Sequence, residues 1–230
     1  MAQKMKTYSI VLATYNKSWA LPQVLDSILP QLTDEGELII VDDGSTDETE
    51  DICQTLSVRY TRLNDAVGRA RNPSVARNVG YRMAAGEIII SQSDDVVHVG
   101  KTLAPLVNDL KEGQFCIASV QNYGEGTFSR QRTGPDLKRP YFFLGSLWRK
   151  DLYAVGGNDE DFEDAGGEDD WFADCLIQGL RLQPVYSREI IGHHLIHAST
   201  FGSKIPSAKI LKRKRASKHF VSSGGSWLPK

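Results

Sequence analysis

Short apolar runs alternate with helical repeats along most of the chain. Ser9 to Ala13 is an apolar run of strand length. After Ser18 and Pro22, the residues Leu21, Val24, Leu25, Ile28, Leu29 and Leu32 recur at helical spacing. Leu38 to Val41 reads as a second strand, and Val58 to Leu63 as a third of edge character. Thr46 is placed to cap the helix between them, whose first turn is acidic as the helix dipole prefers. Asn72-Pro73 opens a further helix, a cap followed by proline in the first turn. Ile88-Ile89-Ile90 starts a strand that is apolar on both faces, as in a covered parallel sheet. A helix from Lys101 to Leu110 and a strand from Phe115 to Val120 follow. This βαβα order predicts an α/β fold with a mostly parallel sheet between helices.

The rhythm then breaks. Gln121 to Arg139 is polar and Gly-rich, with isolated Tyr123 and Phe128, and is expected to be a long functional loop. Tyr141 to Gly145 returns to strand character, and Arg149 to Val155 is a short helix closed by Gly156-Gly157. Gly166-Gly167-Glu168-Asp169-Asp170 leads into a helix that carries Trp171, Phe172, Cys175 and Leu176 and ends at Gly179. Ile190 to His197 is the last strand expected, and a tail begins at Ser199. One domain over residues 1–203 and a basic tail over 204–230 result.

Composition changes the picture in one respect. The net charge of −2 over 230 residues conceals an asymmetry, because no Asp or Glu follows Glu189 while eight Lys and Arg do. The tail, with Lys209, Lys212, Arg213, Lys214, Arg215 and Lys218, reads either as a solvated end or as a patch for an anionic partner, nucleic acid or an acidic membrane face. Cys53, Cys116 and Cys175 are widely spaced and show no CxxC pattern, as expected of reduced thiols in an intracellular protein. No run approaches the length needed to span a bilayer. A cytoplasmic protein, soluble or peripheral to a membrane, is the expectation.

The chemistry concentrates at strand ends. Ile88 to Val96 runs from apolar strand straight into Asp94-Asp95. Ligands of open α/β sheets collect at the carboxyl ends of strands. Paired carboxylates there suit a hard divalent cation held against a diphosphate, or else form a plain polar exit from the strand. Thr14 and Tyr15 end the first strand, where a ring and backbone amides can hold a base or simply pack. Asp43 ends the second, as an acceptor for a base N–H or as a turn residue before Gly44. Arg77 is placed to reach a diphosphate or the carboxylates, or to form a surface salt bridge.

Four blocks carry a resemblance: Val11-Leu12-Ala13-Thr14-Tyr15-Asn16, Val41-Asp42-Asp43-Gly44-Ser45-Thr46-Asp47, Ala76-Arg77-Asn78-Val79-Gly80, and Gly86-Glu87 before Ser93-Asp94-Asp95. In order and spacing they resemble family 2 glycosyltransferases of the GT-A fold over about residues 7 to 110. The resemblance implies a Rossmann-like nucleotide-sugar-binding half over 7–120 and an acceptor and catalytic half over 121–203. It implies donor contacts from Ala13, Thr14, Tyr15, Asp43, Arg77 and Asp94, with Asp94 also on a bound Mn2+ or Mg2+. One departure stands out: Gln92 occupies a position where the commoner pattern has Asp.

The second half resembles another relative. Val155 to Phe162 and Ala165-Gly166-Gly167-Glu168-Asp169-Asp170 are similar to the acceptor-side segment of β-1,4-galactosyltransferases. That resemblance implies Asp169 as catalytic base, Glu168, Asp170 and Trp171 on the acceptor, and metal ligation by His197 and His194. Polar groups and aromatics of Gln121 to Phe143, with Trp171, are expected to shape the acceptor pocket. The three acids also suit a plain helix N-terminus. Together the resemblances imply a metal-dependent, inverting, hexosyltransferase-type enzyme. It would move a sugar from a nucleotide-diphosphate sugar, a UDP-sugar foremost, to a hydroxyl of a glycan, lipid-linked or nucleic-acid acceptor. The rival is a non-catalytic nucleotide-sugar or polyanion-binding module whose metal site has decayed at Gln92.

Overall fold

The computed structural model describes residues 6–63, 72–162, 166–197 and 205–222. In chain order the elements are β1 (Tyr8–Thr14), α1 (Leu21–Ile28), β2 (Gly36–Asp42), α2 (Thr49–Gln54), β3 (Arg59–Arg62), α3 (Pro73–Met83), β4 (Ile88–Ser93) and β5 (Val96–Val99). They continue with α4 (Leu103–Asn108), β6 (Gln114–Gly124), β7 (Thr127–Thr133), β8 (Leu144–Trp148), α5 (Arg149–Ala154), α6 (Glu168–Asp174), β9 (Gln183–Leu195) and α7 (Ile205–Ser217). The nine strands form one mixed sheet in the order β3-β2-β1-β4-β8-β6-β9-β5, with β7 paired to β6. β1 lies parallel to both β2 and β4, whereas β8 runs antiparallel to β4 and β6.

Alternation within the central strands builds two cores. Ile10, Leu12, Ile40, Ile88 and Ile90 face α1, whose Leu21, Val24, Leu25 and Ile28 bury the same stripe that its spacing predicts. Val11, Ile39, Val41 and Ile89 face the other way, toward Ala76, Tyr81, Phe115, Trp171 and Phe172. A strand buried on both faces must be apolar at consecutive positions, which is what Ile88-Ile89-Ile90 shows. α3 lies close on this second face. A Cβ at Gly80 would stand 2.4 Å from Val11 Cγ1, so only glycine permits the approach.

The structure departs from the sequence expectations at identifiable points. α1 starts after Ala20 without a side-chain cap, and past Ile28 the repeat continues only as a 3-10 turn, Leu29–Gln31. Thr46 caps nothing: its N–H donates to Asn16 Oδ1, and α2 begins later, at Thr49. The segment Gln121 to Arg139 is largely no loop. β6 runs on to Gly124, turns through Glu125-Gly126 at φ of 50° and 74°, and returns as β7. β7 borders only β6, so most of its side chains face water and its composition carries no strand signature. β8 spans Leu144–Trp148 rather than Tyr141 to Gly145, and β9 begins at Gln183, well before Ile190. Val96–Val99 is a short strand that the sequence reading omitted.

The basic tail also needs correction. Ile205–Ser217 is a helix, and its cations are shared with the body: Lys214 pairs with Asp159 and Asp161 at 2.7 Å, and Arg215 with Asp174 at 2.6 Å. Phe220 stacks on Trp171, and Ser222 N donates to Val155 O. Among the described residues no helix is long and apolar enough to cross a membrane.

Candidate active site

A cleft of about 780 Å³ opens where β1 and β4 end, and the second half of the chain closes its far side. Asp94 and Asp95 form the two-residue turn between β4 and β5. β5 pairs antiparallel with β9, Val96 opposite His194, and Leu195 N donates to Asp95 O at 2.9 Å. That pairing fixes the end of β9 over the turn. His194 Nε2 lies 3.5 Å from Asp95 Oδ1, and His197 Nε2 lies 2.8 Å from Asp95 Oδ2. Ligand atoms of Asp95, His194 and His197 all fall within 4.8 Å of one another.

Lys17, after the first strand, reaches into the same cluster. Its Nζ is 2.6 Å from Asp95 Oδ2, 3.2 Å from His197 Nε2 and 3.7 Å from Asp94 Oδ1. Burial would raise the Asp95 pKa, but the hydrogen bond from His197 and the nearby His194 and Lys17 hold it well below the usual carboxylate range. Asp94 goes the other way, raised by burial and by the Asp95 charge. Desolvation lowers the His194 pKa and favours the neutral ring that a metal ligand requires. Asp95 Oδ1 is buried without a hydrogen-bond partner, and such an atom is costly to leave unsatisfied. A divalent cation would satisfy it. The mixed imidazole and carboxylate set suits Mn2+ better than Mg2+, which prefers oxygen alone.

Across the cleft Gly166 and Gly167 take positive φ values of 107° and 100°, and α6 starts directly after them. Glu168 folds back to accept from Gly166 N at 2.6 Å, and Asp170 Oδ2 accepts from Tyr141 Oη at 3.0 Å. Asp169 is thereby the acid of the three whose charge is met only at longer range, by Arg77 Nη1 at 3.7 Å. Burial, then the Glu168 charge, pushes the Asp169 carboxyl up to about 7, with Arg77 opposing. A carboxyl that titrates near neutrality in a cleft is suited to taking a proton.

The chain matches known proteins over much of its length. The model of the family "Glycosyl transferase family 2" matches residues 9–159, more than half of the chain. The chain belongs to glycosyl transferase family 2. "Glycosyltransferase GlyG" of Streptococcus pneumoniae is 34% identical over 135 residues, covering 56% of this chain and 44% of that protein. The chain thus spans less than half the length of that relative. Among solved structures, Staphylococcus aureus TarS 1–349 in complex with UDP superposes with a TM-score of 0.72 at 18% identity, over 94% of this chain and 66% of that one. GalNAc-T7 with UDP, GalNAc and Mn2+ also reaches 0.72, at 17% identity, over 92% of this chain and 48% of that one. These likenesses establish the GT-A fold.

The cleft of this family 2 member gathers eight of the residues singled out in the sequence: Ala13, Arg77, Asp94, Glu168, Asp169, Asp170, His194 and His197. Thr14 and Asp43 are buried behind it, and Tyr15 N donates to Asp94 Oδ2 at 3.4 Å. Two expectations shift. The carboxylate among the histidines is Asp95, because the turn after β4 directs Asp94 toward the end of β1. Trp171, expected on the acceptor wall, is 1% exposed and stacks on Phe220 in the core, since it lies on the covered face of α6.

Gln92 lies apart from this cluster. It is buried on the α1 side of β4, where His98 Nε2 lies 2.7 Å from its Oε1, and it does not line the cleft. Lys17 also lines the cleft and was not singled out in the sequence; Tyr141, Arg130, Arg132 and Arg139 line it too, in the stretch Gln121 to Phe143 that the sequence marked for the acceptor pocket without naming them. Lys17 directly follows the Thr14-Tyr15-Asn16 block and carried a local signal; the others lie on strands or loops that only the tertiary fold brings near.

Proposed function

We propose that this chain is a metal-dependent, inverting glycosyltransferase that moves a hexose from a nucleotide-diphosphate sugar to an acceptor hydroxyl. A UDP-sugar is the preferred donor, in keeping with the UDP bound in TarS and GalNAc-T7. The observation that carries the reading is Asp169, a carboxyl raised to about 7 in the same cleft as the Asp95, His194 and His197 cluster.

In this reading the ends of β1, β2 and β4, with Ala13, Thr14, Tyr15, Asp43 and Asp94, receive the nucleotide. Asp95, His194 and His197 would hold Mn2+ or Mg2+, which when bound supplies Lewis-acid stabilisation of the charge on the departing diphosphate. Asp169 removes the proton from the acceptor hydroxyl as that oxygen attacks the anomeric carbon from the face opposite the diphosphate. A single displacement of this kind inverts the configuration. Arg77 orients Asp169 and tempers its pKa, and Glu168 and Asp170 hold the start of α6 in place. The segment over 155–170 thereby serves as an acceptor-side segment like that of β-1,4-galactosyltransferases. The three cysteines are free and buried, which fits a cytoplasmic setting.

The test is donor hydrolysis and transfer over a panel of nucleotide sugars with Mn2+, for the wild type and Asp169→Asn. Turnover of one donor that needs Mn2+ and collapses in the variant supports the reading. Donor binding without turnover in the wild type points to a binding module instead.

A further inference from the structure

The turn that leads into α1 pins the backbone of Lys17. Its N–H donates to Thr49 Oγ1 at 3.1 Å, and its C=O accepts from Ala20 N and Leu21 N, both at 2.9 Å. Only the flexible stem beyond the backbone is free to move. That stem carries Nζ to 2.6 Å from Asp95 Oδ2, 3.2 Å from His197 Nε2 and 3.7 Å from Asp94 Oδ1. Nζ also lies 5.3 Å over the Trp19 ring, and the residue is 7% exposed.

A cation so placed answers both carboxylates of the turn between β4 and β5, whose charges repel each other. It also stands in competition. Asp95 and His197 are two of the three residues that offer ligand atoms within 4.8 Å of one another. A divalent ion held by both must take lone pairs that the ammonium now engages. It also adds two positive charges to the one already at a buried carboxylate. Charges of one sign repel strongly at that range where water is largely excluded.

The side chain has somewhere to go. Lys17 lines the cleft together with Ala13, Arg77 and Asp94, beside the strand ends proposed above to receive the nucleotide. A diphosphate there offers several anionic oxygens, and a compact ammonium on a long stem suits them as a point charge. Carboxylate and diphosphate are thus alternative partners for one cation that swings from a fixed backbone.

We propose that Lys17 is a resident counter-ion that competes with the divalent cation for Asp95 and His197, and that the displaced ammonium moves to the diphosphate of the donor. Lys17 thereby couples the two ligands. Without nucleotide it occupies the acids and keeps metal affinity low. With a diphosphate in the cleft the ammonium has a new partner, so the nucleotide raises metal affinity. By linkage the metal raises nucleotide affinity by the same factor. The proposal rests on the reading above, which takes Asp95, His194 and His197 as the metal site and a nucleotide-diphosphate sugar as the donor.

The experiment is calorimetric titration of the full chain with Mn2+, with and without saturating UDP, and with UDP, with and without saturating Mn2+. The proteins are the wild type and Lys17→Met, with circular dichroism to confirm folding. Lys17→Met should bind Mn2+ alone about tenfold more tightly than the wild type, a usual size for coupling between sites. With UDP present the two proteins should agree in Mn2+ affinity within about threefold. UDP alone should bind both equally, whereas UDP with Mn2+ should bind Lys17→Met about tenfold more weakly, which closes the cycle. A second measurement needs no variant: reductive methylation of the wild type, read at Lys17 by peptide mass spectrometry. Labelling should be slow in the free protein, faster with Mn2+ alone and slow again with Mn2+ and UDP. Mn2+ affinity no higher in a folded Lys17→Met than in the wild type would overturn the proposal. So would Lys17 labelling that ignores saturating Mn2+, a result that decides the matter even where the variant does not fold. Either outcome, with Mn2+ and UDP still bound by the wild type, leaves the glycosyltransferase reading standing. Failure of the wild type to bind Mn2+ even with UDP would remove the metal site and this proposal with it.

Discussion

The Arg77 guanidinium lies 3.7 Å from Asp169 Oδ1, and this contact joins α3 of the first half of the chain to the start of α6 in the second. Both groups are largely covered, with side chains 14% and 23% exposed. The distance is long for a salt bridge, so the pair orients the carboxylate without neutralising it. Asp169 keeps a raised pKa in spite of the neighbouring cation because burial and Glu168 outweigh Arg77.

Asp169→Asn preserves the shape of the side chain and removes the proton acceptor. Single-turnover transfer should fall by roughly two to four orders of magnitude, the scale of general-base assistance, with donor affinity nearly unchanged. Glu168→Gln should cost less, because its carboxylate serves Gly166 N at 2.6 Å. Near-normal turnover in Asp169→Asn with a dead Glu168→Gln would move the base by one residue.

The pH profile follows from the same carboxyl. In the free enzyme Asp169 must be ionised to act, so kcat/KM should rise about tenfold per pH unit up to about 7 and then level off. Arg77→Met removes a charge that favours the ionised form, so the acid limb should move up by about one unit. Stability carries the opposite sign. A carboxyl raised from 3.8 to about 7 on folding leaves the protein most stable below pH 4 as far as this group is concerned, and that stability is lost as pH rises to about 7. Asp169→Asn should therefore raise Tm at pH 8 relative to the wild type and lose that advantage near pH 4. An acid limb that stays in place in Asp169→Asn would assign the titration elsewhere.

For the metal, ligand identity separates two adjacent residues. Asp95→Asn removes the carboxylate that lies 2.8 Å from His197 Nε2, and Mn2+ affinity should drop by about ten- to a hundredfold in paramagnetic-resonance or calorimetric titration without substrate. Asp94→Asn, whose Oδ2 accepts from Tyr15 N at 3.4 Å, should change Mn2+ affinity by no more than a few-fold. The reverse ranking would restore Asp94 as the ligand.

Much of the first half of the chain was legible in the sequence because its strands are buried on both faces. Ile88-Ile89-Ile90 and Leu38 to Val41 cannot be mistaken for surface, and the acids that follow them mark the strand ends. The β6–β7 hairpin was not legible, because an edge strand facing water loses the period-two pattern: Thr127, Phe128, Ser129 and Arg130 are all exposed. Which carboxylate meets the histidines turns on the two-residue turn after β4, and a single step along the chain reverses which side chain meets β9. α7 was hidden for another reason. Its basic residues find their partners at Asp159, Asp161, Asp170 and Asp174, more than forty positions earlier, so a charge excess that reads as an appendage is half of an intramolecular match.

Asn78, from the block Ala76 to Gly80, has a structural duty that motif reading did not supply. Its Nδ2 donates to Asn158 O at 2.8 Å and to Glu160 Oε1 at 2.7 Å, and its Oδ1 accepts from Asn158 N at 2.9 Å. Asn78 is fully buried, so Asn78→Ala strands several polar groups at once. A cost of about 2–4 kcal/mol is expected, read as a lower midpoint in urea, at the usual scale for a broken buried network. A variant within about 0.5 kcal/mol of the wild type would show that α3 and the 158–160 segment are held together by other contacts.

The last prediction asks whether α7 is part of the fold or a solvated end. Asp159 is 0% exposed, and Lys214 Nζ lies 2.7 Å from it and equally close to Asp161. Burial opposes, but hydrogen bonds to the two acids and their charges keep the Lys214 pKa above the ordinary lysine value, so the lysine is charged at neutral pH. Lys214→Met removes the ammonium that lies 6.0 and 5.9 Å over the Phe162 and Trp171 rings and takes its charge away from the buried Asp159 carboxylate. Breaking one side of a buried pair costs about 3–5 kcal/mol, and for a chain of this size each kcal/mol lowers Tm by about 2–4 °C. Lys212→Ala, on the exposed side of α7, should change stability by less than about 0.5 kcal/mol. Truncation after Ser203 removes Lys214, Arg215, Phe220 and Ser222 together and exposes Trp171, so Tm should fall by roughly 10 °C or more. The measurement is thermal unfolding of the three proteins beside the wild type at moderate salt. If Lys214→Met and Lys212→Ala melt together and the truncated chain matches the wild type, α7 contributes nothing to the fold and its charges are open to an external anion. If the ranking holds, six of the basic residues that look like a polyanion patch in the sequence include two, Lys214 and Arg215, already engaged by the body of the protein.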